Sequence, residues 1–402
     1  MAGQAPVTVP TAKGYPDAQL LSDPAAVAAA CQRLAQEPFV TVDTEFVRER
    51  TYWPQLCLVQ LAGAEEVVLI DALAPGMDLA PLGRLLACPE CVKVFHAARQ
   101  DLEIFLHLFG ALPVNVFDTQ IAAMVAGLGD QIGYDSLVAL LLERPIDKGQ
   151  RFTDWAARPL SAKQCAYAAA DVTHLRDVYL ALRKRLEADG RLAWLKREMV
   201  VLEREETFLP DPRERWRKLK ARTNSRRMLG VLQDIVAWRE ELAQKRDVPR
   251  QHLFRDESLL EIAASQPTSA KGLARVRGVS AETARSDLGM DLLAMVAQAL
   301  ERPEEDLPSL PQKPKHQGPG AVPPSVVALL RALLAHCCAQ NRLTPRLVAS
   351  PAELERFAAG ERELEFLKGW RGDVFGKAAL ALLEGTSALA LHDGETRLVA
   401  VK

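Results

Sequence analysis

The chain has 402 residues, of which 49% are hydrophobic and 25% charged, and its formal net charge at pH 7 is −2. This composition is typical of a globular protein with a sizeable core, and at about 150 residues per domain it predicts two or three domains. The charge excludes a uniformly basic nucleic-acid coat but allows a local basic patch.

The seven cysteines are odd in number and irregularly spaced, which argues against a disulfide framework and favours a reducing compartment. Cys88 and Cys91 have zinc-ligand spacing, but no second pair accompanies them, so structural thiols are the better interpretation. Residues 1–14 lack a signal-peptide pattern, and no apolar run approaches the roughly 18 residues that span a bilayer. We therefore expect a cytoplasmic protein without a membrane segment. We also expect a monomer, because the apolar stripes do not exceed what the helices need for their own cores.

The first half of the chain alternates between strands and helices. A helix over 24–35 begins at a favourable Asp23-Pro24 cap and precedes three closely connected strands, which predict an antiparallel meander. Later strands separated by helices favour a parallel arrangement, so we expect a mixed five-stranded α/β sheet. The predicted strands are 39–46, 55–62, 66–71, 92–96 and 115–117, and the predicted helices are 79–86, 100–109, 119–126, 134–142 and 161–186.

The second half is helical and punctuated by proline. Residues 213–227 form a basic run of eight Lys or Arg against one Glu. The proline-rich stretch 303–322 predicts a linker. The predicted helices are 226–246, 291–300, 325–340, 351–358 and 361–383.

Asp43 and Glu45 lie two apart at the end of the strand-like run 39–46, so their side chains point to the same face. Two adjacent carboxylates repel and raise each other's pKa, and a divalent cation such as Mg²⁺ or Mn²⁺ relieves that repulsion. The alternative is a strand that ends in a polar loop with both acids in water. This stretch alone favours neither the cation site nor the polar loop.

Further candidates lie downstream. Asp101 falls in the first helical turn after a strand, where α/β sheets place their sites, although an acid there also offsets the helix dipole. Tyr167 and Asp171 share one helix face, and three alanines between them allow close packing against a sheet. Their alternative is a half-buried Tyr and a solvated Asp. For Asp118 we prefer an N-cap role.

These motifs, in this order, resemble the DEDD exonuclease superfamily, in particular its subgroup with Tyr in the last motif, and most closely the ribonuclease D family. The likeness spans residues 38–186. Residues 228–300 resemble an HRDC domain through a helix, a turn at Gly278 and a second helix, and 323–385 resemble a more divergent copy. The motif segments are 43–46, 96–101, 117–119, 158–161 and 167–171.

The resemblance implies an α/β ribonuclease H-like exonuclease domain followed by two all-α HRDC-type helical domains. The implied division is an exonuclease domain over 1–200, a basic segment over 201–225, an HRDC domain over 226–302, the linker over 303–322 and a second HRDC-like domain over 323–402.

The resemblance also implies a 3′→5′ exoribonuclease that releases nucleoside 5′-monophosphates and trims tRNA precursors and other structured RNA. Two divalent cations, Mg²⁺ or Mn²⁺, would be held by Asp43, Glu45, Asp101 and Asp171, with Asp43 shared between them and Tyr167 orienting the attacking water. The rivals are a DNA 3′→5′ exonuclease and a non-catalytic RNA-binding scaffold. The intact acidic set argues against the scaffold.

The sequence signals for residues that contact RNA are less specific than the acidic motifs. Aromatic rings in the loops 48–54 and 152–155 offer stacking faces for bases, or else serve loop packing. The basic run is a candidate for phosphate contacts, and its alternative is a solvated helix face. The Gly278 turn is a candidate to donate backbone N–H groups to a phosphate, and its alternative is core packing. The residues concerned are Tyr52, Trp53, Phe152, Trp155, Arg217, Lys218, Lys220 and Gly278.

Overall fold

The structure is a computed structural model that describes residues 7–11, 14–146, 149–150, 153–209, 211–223, 225–309 and 323–401. Most of the predicted linker, residues 310–322, lies outside the described residues, as does Phe152. Within the described residues one sheet has seven strands in the order β1-β2-β5-β4-β3-β6-β7. These strands are β1 (Val7–Val9), β2 (Ala18–Leu21), β3 (Phe39–Val47), β4 (Gln55–Ala62), β5 (Val67–Asp71), β6 (Val92–Phe95) and β7 (Val116–Asp118).

The predicted meander is confirmed, because β4 pairs antiparallel with both β3 and β5. The parallel pairing of β3 with β6 and of β6 with β7 is also as expected. The prediction of five strands is wrong, since β2 pairs parallel with β5 and β1 pairs antiparallel with β2. These two strands have three and four residues, too few for a clear alternating pattern, and the open edge of β5 stabilises them.

Helices cover both faces of this sheet and make up most of the second half of the chain. They are α1 (Pro24–Leu34), α2 (Ala80–Leu86), α3 (Arg99–Phe109), α4 (Thr119–Val125), α5 (Tyr134–Leu142), α6 (Ala162–Ala188), α7 (Leu192–Met199), α8 (Arg226–Arg246), α9 (Arg250–Leu253), α10 (Asp256–Ser265), α11 (Ala270–Leu273), α12 (Ala281–Arg285), α13 (Asp287–Glu301), α14 (Pro324–Asn341), α15 (Pro345–Val348), α16 (Pro351–Ala358), α17 (Gly369–Arg371) and α18 (Lys377–Leu383). None of them, within the described part of the chain, has the length and apolar character that crossing a bilayer requires.

The long helix α6 packs across one face of the sheet. Its start is fixed by a capping box in which Ser161 and Gln164 satisfy each other's backbone N–H groups. Ala168 and Ala169 are fully buried against alternate residues of β4 and β5, such as Leu58. The opposite set of strand residues packs against α1, α2 and α3, as a period of two requires.

Residues 226–301 form a helical unit with its own core. The long helix α8 lies at its centre, capped by Ser225 and packed against α10 and α13. Trp216, which lies within the basic run, is only 1% exposed and belongs to this core. The segment Pro212–Lys218 therefore packs against the helical unit through its single tryptophan.

Residues 323–401 pack directly on the α/β unit, which consists of the seven-stranded sheet and helices α1 to α7. The rings of Trp194 and Trp370 stack at 4.7 Å, and the Arg371 guanidinium donates to both carboxylate oxygens of Glu198 at 2.7 and 2.6 Å. Apolar residues of α14, including Leu330, belong to the same buried cluster as the sheet residues. The C-terminal unit, residues 323–401, thus shares a core with the α/β unit.

The chain ends in a hairpin that the sequence analysis did not predict. Strands β8 (Ser387–His392) and β9 (Glu395–Ala400) pair antiparallel around Asp393 and Gly394, both with positive φ. An Asp-Gly pair is a strong hairpin signal, and it was available in the sequence. The prediction of an all-α unit over 323–402 is therefore wrong for its last part, and its relation to HRDC domains stays a prediction.

Breaking the Glu198–Arg371 pair tests the shared core. Because these side chains are only 13% and 17% exposed, Glu198→Ala leaves a poorly solvated guanidinium unpaired, and we expect a loss of roughly 2 kcal/mol in the free energy of unfolding. Urea unfolding measures this loss. As a control, Asp130→Ala breaks the more exposed pair with Arg346 at 3.6 Å and should cost less than about 1 kcal/mol. Equal effects of the two changes would contradict the conclusion that the Glu198–Arg371 pair lies in the more buried part of this contact.

Candidate active site

The first two acids lie on the central strand β3. Asp43 and Glu45 point to the face covered by α6, and both are half-buried. The pairing of β3 with β4 shifts register between Glu45 and Phe46, an irregularity of the kind that redirects side chains beside sites. Thr44 points to the other face, so its side chain contacts a different part of the molecule from Asp43 and Glu45.

Helix α6 brings the third acid to the same point. Asp171 is 8% exposed, and its carboxylate oxygens lie with those of Asp43 and Glu45 in a group whose members are within 4.8 Å of one another. Small residues on α6 permit this approach, since Ala168 and Ala169 add little bulk between helix and sheet. Three hard oxygen donors this close form a site that suits a divalent cation.

Asp101 lies in the first turn of α3 and outside that group of three. It is 8% exposed, and one of its oxygens accepts a hydrogen bond from the Thr44 hydroxyl. Burial, and then the charge of Asp43, raises the pKa of Asp101, which places the two carboxylates in the same electrostatic environment. The structure thus brings Asp101 beside the β3 acids from the opposite side to Asp171.

The loop before α3 is held by Asp118. Its carboxylate accepts from the N–H groups of Ala97 and Ala98 at 3.1 and 2.9 Å, and also from the first turn of α4. The N-cap prediction for Asp118 is confirmed. It also orients the segment that leads to Asp101.

Burial and mutual repulsion dominate the electrostatics of the four acids. Burial raises the pKa of Asp43 to about 6, and burial together with Asp43 and other acids raises the pKa of Glu45 to about 10. The pKa values of Asp101 and Asp171 also lie well above their usual range, mainly through burial and then through the charge of Asp43. Without a cation, protons relieve the repulsion in this cluster.

Tyr167 lies one turn before Asp171 on α6. Burial and the adjacent Asp171 raise its pKa, so its hydroxyl stays protonated at neutral pH. It hydrogen-bonds the Asp171 carboxylate, an interaction that lowers the pKa of that acid. The Trp155 ring lies 6.2 Å from the Tyr167 ring. Tyr167 is therefore suited to donating and orienting rather than to acting as a base.

Asp43, Glu45 and Asp171 line a pocket of about 560 Å³. Sequence reasoning did not identify its other wall, where the Tyr134 hydroxyl donates to the main-chain carbonyl of Asp171. Tyr134 starts a short helix after Gly133, a position that gives no signal of its own in the sequence. The pocket lining beyond the acids and Tyr167 includes His96, Gln100, Tyr134, Asp135, Ile146 and Leu175.

The chain resembles known proteins over almost its whole length. A family of 3′-5′ exonuclease domains matches residues 18–187, and the HRDC domain family matches residues 228–310. A ribonuclease D of Gluconacetobacter diazotrophicus is 56% identical over 379 residues, which cover 94% of this chain and 96% of that protein. This chain belongs to the ribonuclease D family.

Other ribonuclease D proteins agree. That of Granulibacter bethesdensis is 52% identical over 96% of this chain and 97% of its own length. The crystal structure of Escherichia coli RNase D, described as an exoribonuclease involved in structured RNA processing, superposes with a TM-score of 0.78 at 32% identity over 91% of this chain and 98% of that one. The chain is therefore a 3′→5′ exoribonuclease, and the predicted family and HRDC domain are confirmed.

Within this ribonuclease D fold, two of the aromatic candidates for RNA contact are buried. Tyr52 is 9% exposed, and its hydroxyl donates to Glu240 of α8 at 2.5 Å, while its N–H donates to Asp247 at 3.1 Å. Trp155 is 3% exposed. Trp53 is half-buried and stacks on His107 of α3 at 4.1 Å. The loop 48–54 thus joins the α/β unit, which is the nuclease unit, to the helical unit of residues 226–301, which is the HRDC unit. Base stacking on these rings stays a prediction.

The basic candidates are more accessible. Arg217, Lys218 and Lys220 are exposed to differing degrees, although Arg217 also pairs with Glu214 and lies over the Trp216 ring. Gly278 has a φ of 83°, and a Cβ there would lie 2.9 Å from the Ser258 hydroxyl, so packing accounts for this glycine. Its contact with RNA stays a prediction.

The raised carboxyl pKa values predict how the metal-free protein responds to pH. A carboxyl whose pKa is higher in the folded than in the unfolded state contributes stability at low pH that is lost as pH rises through the folded value. In EDTA, the free energy of unfolding should therefore fall from about pH 5 to pH 8, and Asp171→Asn should reduce that fall by removing one such group. Urea titrations at several pH values measure this. The exposed Asp373→Asn serves as the control, and an equal slope for Asp171→Asn and wild type would contradict the shared protonation.

Proposed function

We propose that this chain removes nucleotides singly from the 3′ ends of structured RNA, chiefly tRNA precursors, and releases nucleoside 5′-monophosphates. One observation carries the proposal: three acids from β3 and α6 meet beside Tyr167 at one pocket, with Asp101 of α3 next to them, in a chain that aligns with ribonuclease D over 94% of its length. The E. coli relative is described as a processor of structured RNA, which favours that substrate class.

Two divalent cations, Mg²⁺ or Mn²⁺, are the cofactors we propose. When bound, such a pair neutralises the phosphodiester and eases deprotonation of the attacking water. The residues present fit them, because the donors are hard carboxylate oxygens whose burial leaves their repulsion unrelieved. A carboxylate oxygen of Asp43 lies within 4.8 Å of oxygens of Glu45 and Asp171, and the charge of Asp43, after burial, raises the pKa of Asp101, so we assign Asp43 to both cations. Glu45 and Asp171 would complete one site and Asp101 the other.

The protein's own groups would supply orientation. Tyr167, held by Asp171 and kept protonated by burial, would hydrogen-bond the attacking water and direct it at the phosphorus. Tyr134 would support this arrangement by holding the α6 backbone at Asp171. The pocket wall of His96, Gln100 and Leu175 would enclose the terminal nucleotide, which restricts attack to a chain end.

Substitutions at Asp43 and Tyr167 test these roles. Asp43→Ala should abolish turnover, because the acid shared by both cations is lost. Tyr167→Phe should lower kcat by about 10²-fold or more while leaving Mg²⁺ affinity intact, since an orienting hydrogen bond is lost and no ligand is removed. Product analysis with a 3′-extended tRNA and a matching DNA measures turnover, and calorimetry measures affinity.

Three outcomes would contradict the proposal. Equal loss of Mg²⁺ affinity in Tyr167→Phe and Asp171→Ala would break the assignment of roles. Faster digestion of the DNA would favour a DNA exonuclease. Binding of RNA without any release of nucleotides, with either metal, would favour a scaffold.

The exposed basic segment provides a separate test of RNA binding. Reversing the charge at Arg217, Lys218 and Lys220 should weaken RNA binding and reduce the slope of its salt dependence by about one unit for each phosphate that is no longer neutralised. Binding titrations at several salt concentrations measure both quantities. Charge reversal at Arg331 and Arg356, exposed residues of the C-terminal unit, is the control. An unchanged slope for the triple variant would contradict the phosphate role.

A further inference from the structure

Gln60 is an unusual residue in the core of the nuclease unit. It lies in β4 and its side chain is 0% exposed. Across the part of the chain that the structure describes, neither its amide nitrogen nor its amide oxygen has a hydrogen-bond partner. Buried polar groups are nearly always paired, because losing water without gaining a partner is costly. An unpaired amide therefore calls for a functional explanation.

The position of Gln60 is set by the sheet register. It lies directly opposite Asp43 in the antiparallel pair of β3 and β4. Opposed residues of such a pair point to the same face, with Cβ atoms about 4.5–5.5 Å apart. A glutamine side chain is long enough to span that gap. Gln60 is therefore enclosed beneath α6, next to the acid that influences every other acid of the site.

The surroundings of Gln60 do not need an amide for packing. Its neighbours on the same face of β4, Leu58 and Ala62, are apolar, and so is its cross-strand neighbour Leu69 on β5. A second buried polar side chain on this face, by contrast, is satisfied, because the Thr41 hydroxyl donates to the Val172 carbonyl at 2.8 Å. An unbranched apolar side chain of similar length would fill the space without leaving two polar atoms unpaired.

We propose that Gln60 is a positioning residue for Asp43. Its amide N–H donates to a carboxylate oxygen of Asp43 once cations are bound, and so fixes the orientation of that carboxylate. Supporting groups of this kind orient metal-binding side chains in many sites. An amide suits the position because it donates without adding another charge to the acidic cluster. This inference rests on the proposed function, in which Asp43 holds the cations.

Gln60→Met separates positioning from packing. The variant keeps the length of the side chain and removes the polar atoms, so it should unfold at the same urea concentration as wild type or a higher one. Its Mg²⁺ affinity without RNA and its kcat should each fall about 10- to 100-fold, with KM nearly unchanged. Calorimetry, urea titration and kinetics on a 3′-extended RNA measure these quantities. A merely structural role would lower stability and leave metal affinity unchanged.

Two controls accompany the experiment. Thr344→Val removes another buried, unpaired polar atom, in the C-terminal unit, and should leave kcat and Mg²⁺ affinity unchanged. Gln60→Leu provides a second apolar variant should the methionine pack poorly.

Wild-type affinity and kcat in Gln60→Met would overturn the inference. Failure of both Gln60 variants to fold would also overturn it, since the residue would then serve stability. Asp43→Asn distinguishes the two proposals. If that variant is inactive while Gln60→Met is fully active, only the inference about Gln60 fails. If Asp43→Asn keeps its metal-dependent activity, the proposed function itself fails.

Discussion

The repulsion among four carboxylates, two of them half-buried and two buried, is the constraint on which the nuclease unit depends. Burial, and then the charge of Asp43, raises the pKa of Glu45, Asp101 and Asp171. The fold must hold these groups together against the repulsion of their charges. Two helices on opposite sides of β3 bring Asp171 and Asp101 to the acids of that strand. Helix α6 closes on the sheet through small residues, and α3 approaches from the other face of β3 through the hydrogen bond between Thr44 and Asp101. Packing far from the acids supplies the opposing free energy.

The same strand connects the site to the rest of the molecule. β3 carries Asp43 and Glu45 and runs directly into the loop whose Tyr52 and Trp53 N–H groups share the Asp247 carboxylate. Arg48 of that loop pairs with Glu103 of α3 at 2.8 Å, so the loop also contacts the helix that carries Asp101. The HRDC unit is thus attached near β3 and α3, the strand and the helix that carry three of the four acids. A single loop spans the distance between the site and the helical unit.

Local signals in the sequence predicted much of this arrangement. Three features depend only on neighbouring residues and were predicted from them. They are the alternation of β3, the spacing of Tyr167 and Asp171, and the Asp118 cap. Two short strands were missed because they exist only by pairing with β5. Gln60 gave no signal, because its significance depends on lying opposite Asp43 in a register that no local pattern specifies. Tyr52 carries the same lesson, since its burial depends on Glu240, nearly 200 positions away.

The core that the C-terminal unit shares with the nuclease unit affects how the chain folds while the ribosome synthesises it. All the acids lie before residue 172, but Trp194 and Leu195 wait for partners such as Trp370 and Phe375, about 180 residues later. At about 5–20 residues per second, that interval is on the order of ten to thirty seconds. During this time the residues of α7 that pack on the C-terminal unit, such as Trp194, lack these partners. The nuclease unit therefore completes its packing only after most of the chain has been synthesised.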